Sequence, residues 1–140
     1  MSLGDIERFK GKRILVIEDI PDTLAGMVAD LRDRGFNLTS SQNVTEALNR
    51  LEDERFDLIL LDWRLPIGDE NEGLDDNAGS LLLERLKTDE KNPNHDTPVV
   101  VITAEWGAID RRSLQRFPAF RCVVGKFDFD MLTQAIESSL

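Results

Sequence analysis

Four short apolar stretches of this 140-residue chain each end in residues able to do ionic chemistry. Residues 14–17 lead into Glu18 and Asp19, residues 58–61 into Asp62, residues 99–102 into Thr103, and residues 120–124 into Gly125 and Lys126. If the first and third stretches lie side by side, three carboxylates meet, and like charges that close need a cation or protons to neutralise them. Mg²⁺ suits such a group: it prefers hard oxygen ligands, binds through one or two carboxylates and recruits phosphate oxygens. Thr103 adds a hydroxyl and Lys126 a mobile positive charge, partners that fit a phosphoryl group.

For these residues to meet, the stretches that carry them must be neighbouring strands. Ile14-Leu15-Val16-Ile17, Leu58-Ile59-Leu60-Leu61 and Val99-Val100-Val101-Ile102 are continuous runs of branched side chains, as in a parallel sheet covered on both faces. Residues 36–40 and 120–124 give two weaker strands. Between them lie helical patterns. Leu24, Met27, Val28 and Leu31 recur at helical spacing and are followed by Gly35, placed for a left-handed C-terminal residue. Asn43 and Glu46 form the signature of a capping box before Val44, Ala47, Leu48 and Leu51. Leu82, Leu83 and Leu86 mark a third helix, residues 106–114 a poorly defined fourth, and the last begins near Asp128 with Met131, Leu132, Ala135 and Ile136 on one face. Five alternations of strand and helix with right-handed crossovers give a three-layer sandwich with the sheet in the middle. Ligands of such sheets bind beyond the carboxyl ends of the strands, where the polar endings lie.

Length and composition agree with one compact domain. A chain this long buries roughly 68–70% of its unfolded surface, enough for a core without staples. The single cysteine, Cys122, leaves no intramolecular disulfide to form and reads as core packing in a reducing, cytoplasmic setting. No stretch approaches the ~18 apolar residues of a membrane span. The net charge of -10, from 27 acidic and 17 basic residues, opposes binding to nucleic acid or anionic lipid. Residues 1–11 read as an N-terminal extension or cloning scar, residues 12–140 as the domain, and the chain as a piece that a longer protein could contain.

Glu18-Asp19, the run Asp57-Leu58-Ile59-Leu60-Leu61-Asp62-Trp63-Arg64-Leu65-Pro66, then Val101-Ile102-Thr103-Ala104 and Val124-Gly125-Lys126-Phe127 together resemble the receiver domains of two-component response regulators. The resemblance implies a CheY-like, flavodoxin-like α/β fold with five parallel strands in the order 2-1-3-4-5. It implies that Asp62 is the phosphoacceptor, taking a phosphoryl group from a phosphohistidine of a histidine kinase or histidine phosphotransfer protein. Glu18, Asp19, Asp62 and the backbone carbonyl of Arg64 would serve Mg²⁺, with Glu18 acting through water. Thr103 and Lys126 would bind phosphoryl oxygens, and the small side chain of Ala104 would leave the donor room. Arg64 and Glu105 stand where the family tunes hydrolysis of the acyl phosphate. A receiver signals by conformational change to an effector domain or downstream protein, alone or as a homodimer, without turning over an external substrate.

Three positions depart from the family pattern. Val123 stands where an aromatic switch residue is usual, and Phe127 where a proline with a cis peptide is usual; a cis bond before a non-proline residue costs about 3–4 kcal/mol. Gly79 aligns with the glycine that opens the third helix, which leaves roughly nine extra residues in the preceding loop. That insertion, about residues 67–78, carries Asp69, Glu70, Glu72, Asp75 and Asp76, and could steer a basic partner or hold a second cation; its spacing fits a calcium loop poorly.

Each residue also has a plainer reading alone: Glu18-Asp19 as a solvated strand end, Asp62 as a turn cap, Thr103 as a strand residue and Lys126 as a surface charge. Trp63 reads as a site-lining aromatic whose fluorescence reports Mg²⁺, with Trp106 as background. His95, in a Pro-flanked loop, is a poor candidate for phosphorylation or metal binding. A haloacid dehalogenase-type phosphatase needs a second aspartate where Arg64 stands, and a nucleotide or flavin binder needs a glycine-rich turn that Glu18-Asp19-Ile20-Pro21-Asp22 does not supply. The serious alternative is a pseudo-receiver, an interaction module that keeps the fold without being phosphorylated.

Overall fold

The computed structural model describes residues 10–19, 24–68, 75, 77–104, 109, 111–117, 120–125 and 128–140. Five strands, β1 (Arg13–Ile17), β2 (Asn37–Ser41), β3 (Leu58–Asp62), β4 (Val99–Thr103) and β5 (Phe120–Gly125), form one sheet in the order β2-β1-β3-β4-β5. All four pairings are parallel. The helices between and after them are α1 (Ala25–Asp33), α2 (Val44–Asp53), α3 (Ala78–Thr88), α4 (Arg111–Leu114) and α5 (Phe129–Ser139).

The uninterrupted apolar runs follow from burial on both faces. Leu15, Ile17, Ile59, Leu61, Val99 and Val101 pack with α2 and α3, while Ile14, Val16, Leu58, Leu60, Val100 and Ile102 pack with α1 and α5. Successive side chains point to opposite faces, so a strand covered on both sides has no polar position left. Every residue of β3 and β4 is buried, down to the closing Asp62 and Thr103.

Helix boundaries obey the local signals. Asn43 Oδ1 accepts the Glu46 amide at 2.7 Å, and Asp128 Oδ1 accepts the Met131 amide at 3.1 Å, so both helices carry a side-chain N-cap. Gly35 closes α1 at φ 98°, in the left-handed region that glycine enters without a Cβ penalty. Of the fourth helix expected over residues 106–114, the structure describes the turn Arg111–Leu114 as helical and residue 109 as not helical, while residues 106–108 and 110 lie outside the described residues. Met131 does not join the packed face of α5; it is 51% exposed while Leu132, Ala135 and Ile136 carry the contact. Those three already span the stripe facing β5, and position 131 falls at its edge.

Candidate functional site

The strand order sets β1 beside β3, and their register pairs Ile17 with Leu61. One step further along each strand, Glu18 and Asp62 are therefore brought together at the carboxyl edge of the sheet. Glu18 is anchored from the other side, its amide donating to the Ser41 carbonyl at 2.9 Å. Glu18 is 2% exposed, Asp62 5%, and Asp19 is half-buried. Each of the three offers a carboxylate oxygen within 4.8 Å of the other two. Desolvated acids this close repel one another, and a hard divalent cation with an affinity for carboxylate oxygen is the partner that removes the repulsion. The donor set thus fits Mg²⁺.

Next along the edge, β4 ends in Thr103, 2% exposed and paired with Gly125 at the end of β5. Ala104, just beyond it, is exposed, and Arg64, two residues past Asp62, is half-buried. The structure thus brings Glu18, Asp19, Asp62 and Thr103 to one edge. Lys126, Glu105, Phe127 and Trp106 lie outside the described residues, as do Asp69, Glu70, Glu72 and Asp76 of the insertion.

Trp63 is sunk into the core between β3 and α3, with its ring 4% exposed. Its amide donates to the Ile102 carbonyl at 3.1 Å, and its carbonyl accepts the Gly79 amide at 3.2 Å. A Cβ at Gly79 would run into the indole, which explains why glycine opens α3. From the sequence Trp63 reads as lining the site; its ring instead belongs to the packing beneath α3. The insertion is anchored at its start: the Pro66 and Ile67 carbonyls accept the amides of Val44 and Thr45 at 3.1 and 2.9 Å, capping α2. Leu65 bridges to Asp75, whose amide donates back to the Leu65 carbonyl at 2.9 Å.

A second buried polar cluster, missed from the sequence, sits at the opposite edge of the sheet. Asn94 is fully buried; its side-chain amide donates to the carbonyls of Leu51 and Glu54 at 2.8 and 2.6 Å, and its Oδ1 accepts the Phe56 amide at 2.8 Å. Lys87 Nζ donates to the carbonyls of Asn94, His95 and Thr97 at 3.2, 2.9 and 2.7 Å. Burial pulls the Lys87 pKa down from 10.5 to about 8, against the opposing pull of Asp96. Asp96, exposed and 2.9 Å from Arg55 Nη1, is held below the usual carboxylate range by that guanidinium. The signal in the sequence was the density of turn formers in Asn92-Pro93-Asn94-His95-Asp96-Thr97-Pro98.

A doubly covered parallel sheet with a cation-fitting carboxylate trio and a buried threonine at its carboxyl edge defines a class: α/β domains that bind charged groups at a sheet rim. Comparison with known proteins gives the family. The profile of the response regulator receiver domain matches residues 14–137. The transcriptional activator protein IrlR of Burkholderia pseudomallei is 34% identical over 128 residues, which are 91% of this chain and 50% of that protein. The response regulator TrrA of Thermotoga maritima, solved in complex with Mg²⁺-BeF, superposes with a TM-score of 0.70 at 26% identity, covering 92% of this chain and 99% of TrrA. TrrA has also been solved in complex with the histidine kinase ThkA. The chain belongs to the response regulator receiver family, the phosphoacceptor domains of two-component signalling. It spans half the length of IrlR, so what a complete protein does is a separate matter. Among the described residues, no helix is long and apolar enough to cross a membrane.

Proposed function

We propose that the chain is a working phosphoacceptor: Asp62 takes a phosphoryl group from the phosphohistidine of a partner kinase or phosphotransfer protein and signals by a change of conformation. The observation that carries this reading is the meeting of Glu18, Asp19 and Asp62, two buried carboxylates and one half-buried, with ligand oxygens within 4.8 Å of one another. Acids gathered at a largely desolvated rim are the ligands that a metal-assisted transfer uses.

In the transfer, an Asp62 carboxylate oxygen attacks phosphorus, the O–P bond forms as the P–N bond to the donor imidazole breaks, and the imidazole nitrogen keeps the electron pair. Glu18, Asp19, Asp62 and the Arg64 carbonyl would hold Mg²⁺, which supplies charge neutralisation to the phosphoryl oxygens. The Thr103 hydroxyl donates to a phosphoryl oxygen, Lys126 contributes positive charge, and Ala104 keeps the approach open. Arg64 and Glu105 slow hydrolysis of the product; an unchanged acyl-phosphate lifetime in Arg64→Ala would remove that role. The partner is a histidine kinase or phosphotransfer protein, the setting cytoplasmic, and no external substrate is turned over.

Intact mass after incubation with a small-molecule phosphodonor and Mg²⁺ tests the reading. One added phosphoryl group is expected, absent in Asp62→Asn and absent when Mg²⁺ is chelated. Unmodified wild-type protein would instead favour the pseudo-receiver.

A further inference from the structure

We propose that Trp63 and Gly79 read the state of Asp62 and pass it to the first turns of α3 and α2, so that the output of this receiver emerges on the α2–α3 face. The inference rests on the proposed phosphorylation of Asp62 and adds the route by which it is felt. Position 123 cannot carry the message by a swinging ring: it is a valine, half-buried and packed against the apolar core. Trp63 is the next residue after Asp62, and nothing about it is loose. Its amide is tied to β4 at Ile102, its carbonyl to α3 at Gly79, and its ring fills the space that a side chain at Gly79 would occupy.

The tie continues along the chain. The Leu65 carbonyl accepts the Asp75 amide, the Asp75 carbonyl accepts the Ala78 amide at 3.3 Å, and Asp75 Oδ1 accepts the Asn77 amide at 2.7 Å. The Pro66 and Ile67 carbonyls cap Val44 and Thr45, and Thr45 Oγ1 donates to Ile67 at 2.9 Å as well. The segment from Trp63 to Ile67 therefore hangs from two helix N-termini. A dianionic group on Asp62 must draw on its surroundings, and a close-packed core answers by shifting to another discrete packing rather than by yielding smoothly. Trp63, Asp62's neighbour, is bonded to β4 and to the start of α3, and the segment that follows it is bonded through Pro66 and Ile67 to the start of α2; a buried indole against a bare glycine Cα leaves no slack to absorb the shift.

Hydrogen exchange of the 140-residue chain, in Mg²⁺ alone and in Mg²⁺ with beryllium fluoride, tests the route; intact mass after phosphodonor treatment is read in parallel. Exchange in peptides covering residues 44–47 and 78–82 is expected to change by roughly threefold or more, the size of a modest shift in local opening. Trp63→Leu should still gain phosphoryl mass yet lose the change at residues 78–82, and Trp63→Phe, which keeps a ring against Gly79, should restore it. Wild-type changes confined to residues 120–125 and 128–140 would overturn the route while leaving phosphorylation standing, and this arm needs no variant. Absence of both added mass and any exchange change would overturn the phosphoacceptor reading and the route together.

Discussion

Ser41 closes β2 with its side chain fully buried, and its hydroxyl oxygen has no hydrogen-bond partner. Its backbone is in use, since its carbonyl receives the Glu18 amide. A buried polar atom left unpaired costs about 1–3 kcal/mol relative to one that is satisfied. Ser41→Ala keeps the backbone bond and removes the orphan, so a gain of about 1 kcal/mol is expected, seen as a higher urea midpoint with an unchanged slope. A lower midpoint would show that the hydroxyl is satisfied by water. Other identities at this scale were readable in advance: Glu18, Asp19, Asp62 and Thr103 announce themselves because acids and a hydroxyl directly after apolar strand runs have no role in a core. The seat of Trp63 is not legible locally, because its neighbour across the helix start, Gly79, lies 16 residues away in sequence and only folding sets the two in contact.

At the scale of elements, the C-terminal half of α3 is fastened by Lys87, whose ammonium serves three carbonyls of the loop before β4. Lys87→Met removes the charge and the shared donor, leaving the Asn94 carbonyl with the Thr97 amide at 3.1 Å but taking the ammonium from those of His95 and Thr97, and a loss of about 2–4 kcal/mol is expected in denaturant unfolding. Burial, the largest influence, disfavours the charged form of Lys87; of the groups facing it across this loop, Asp96 opposes that effect and Arg55 adds to it. Because the folded pKa of about 8 lies below the ordinary 10.5, the unfolded chain binds more protons between those values. Wild-type stability should therefore rise relative to Lys87→Met as pH climbs from 8 towards 10.5, and the burial penalty on the charged lysine should be fully felt below 8. A stability difference that stays flat across this window would show that Lys87 keeps its ordinary pKa. Periodicity located the helix itself, since Leu82, Leu83 and Leu86 form its apolar stripe, but it placed Lys87 on no network: a lysine at the end of such a stripe reads as solvent-facing.

The whole molecule carries a net charge of -10 and concentrates three acids at one buried rim. Repulsion there is a standing cost of the fold that a divalent cation relieves by binding only the native state. Mg²⁺ at about a hundred times its dissociation constant should add about 2.7 kcal/mol to stability and raise the melting temperature. In the absence of Mg²⁺, Asp62→Asn should itself raise the melting temperature, because one of three like charges is gone, and its further rise with Mg²⁺ should shrink. A wild-type melting temperature indifferent to Mg²⁺ would mean that the trio holds no metal.

The alternation of strand and helix, the doubly covered sheet and the rim residues Glu18, Asp19, Asp62 and Thr103 are legible in the chain because they depend on local quantities: side-chain branching, apolar period and the residue that follows each run. Asn43, Gly35 and Asp128 fixed helix ends for the same reason, each acting on backbone groups within three or four positions. What depends on distant segments meeting is settled by folding alone: the seating of Trp63 on Gly79, the capping of α2 by the Pro66 and Ile67 carbonyls, the burial of Asn94 and Lys87, and the exposure of Met131. Such contacts form because folding removes water from surfaces far apart along the chain, and no local pattern records which surfaces those will be.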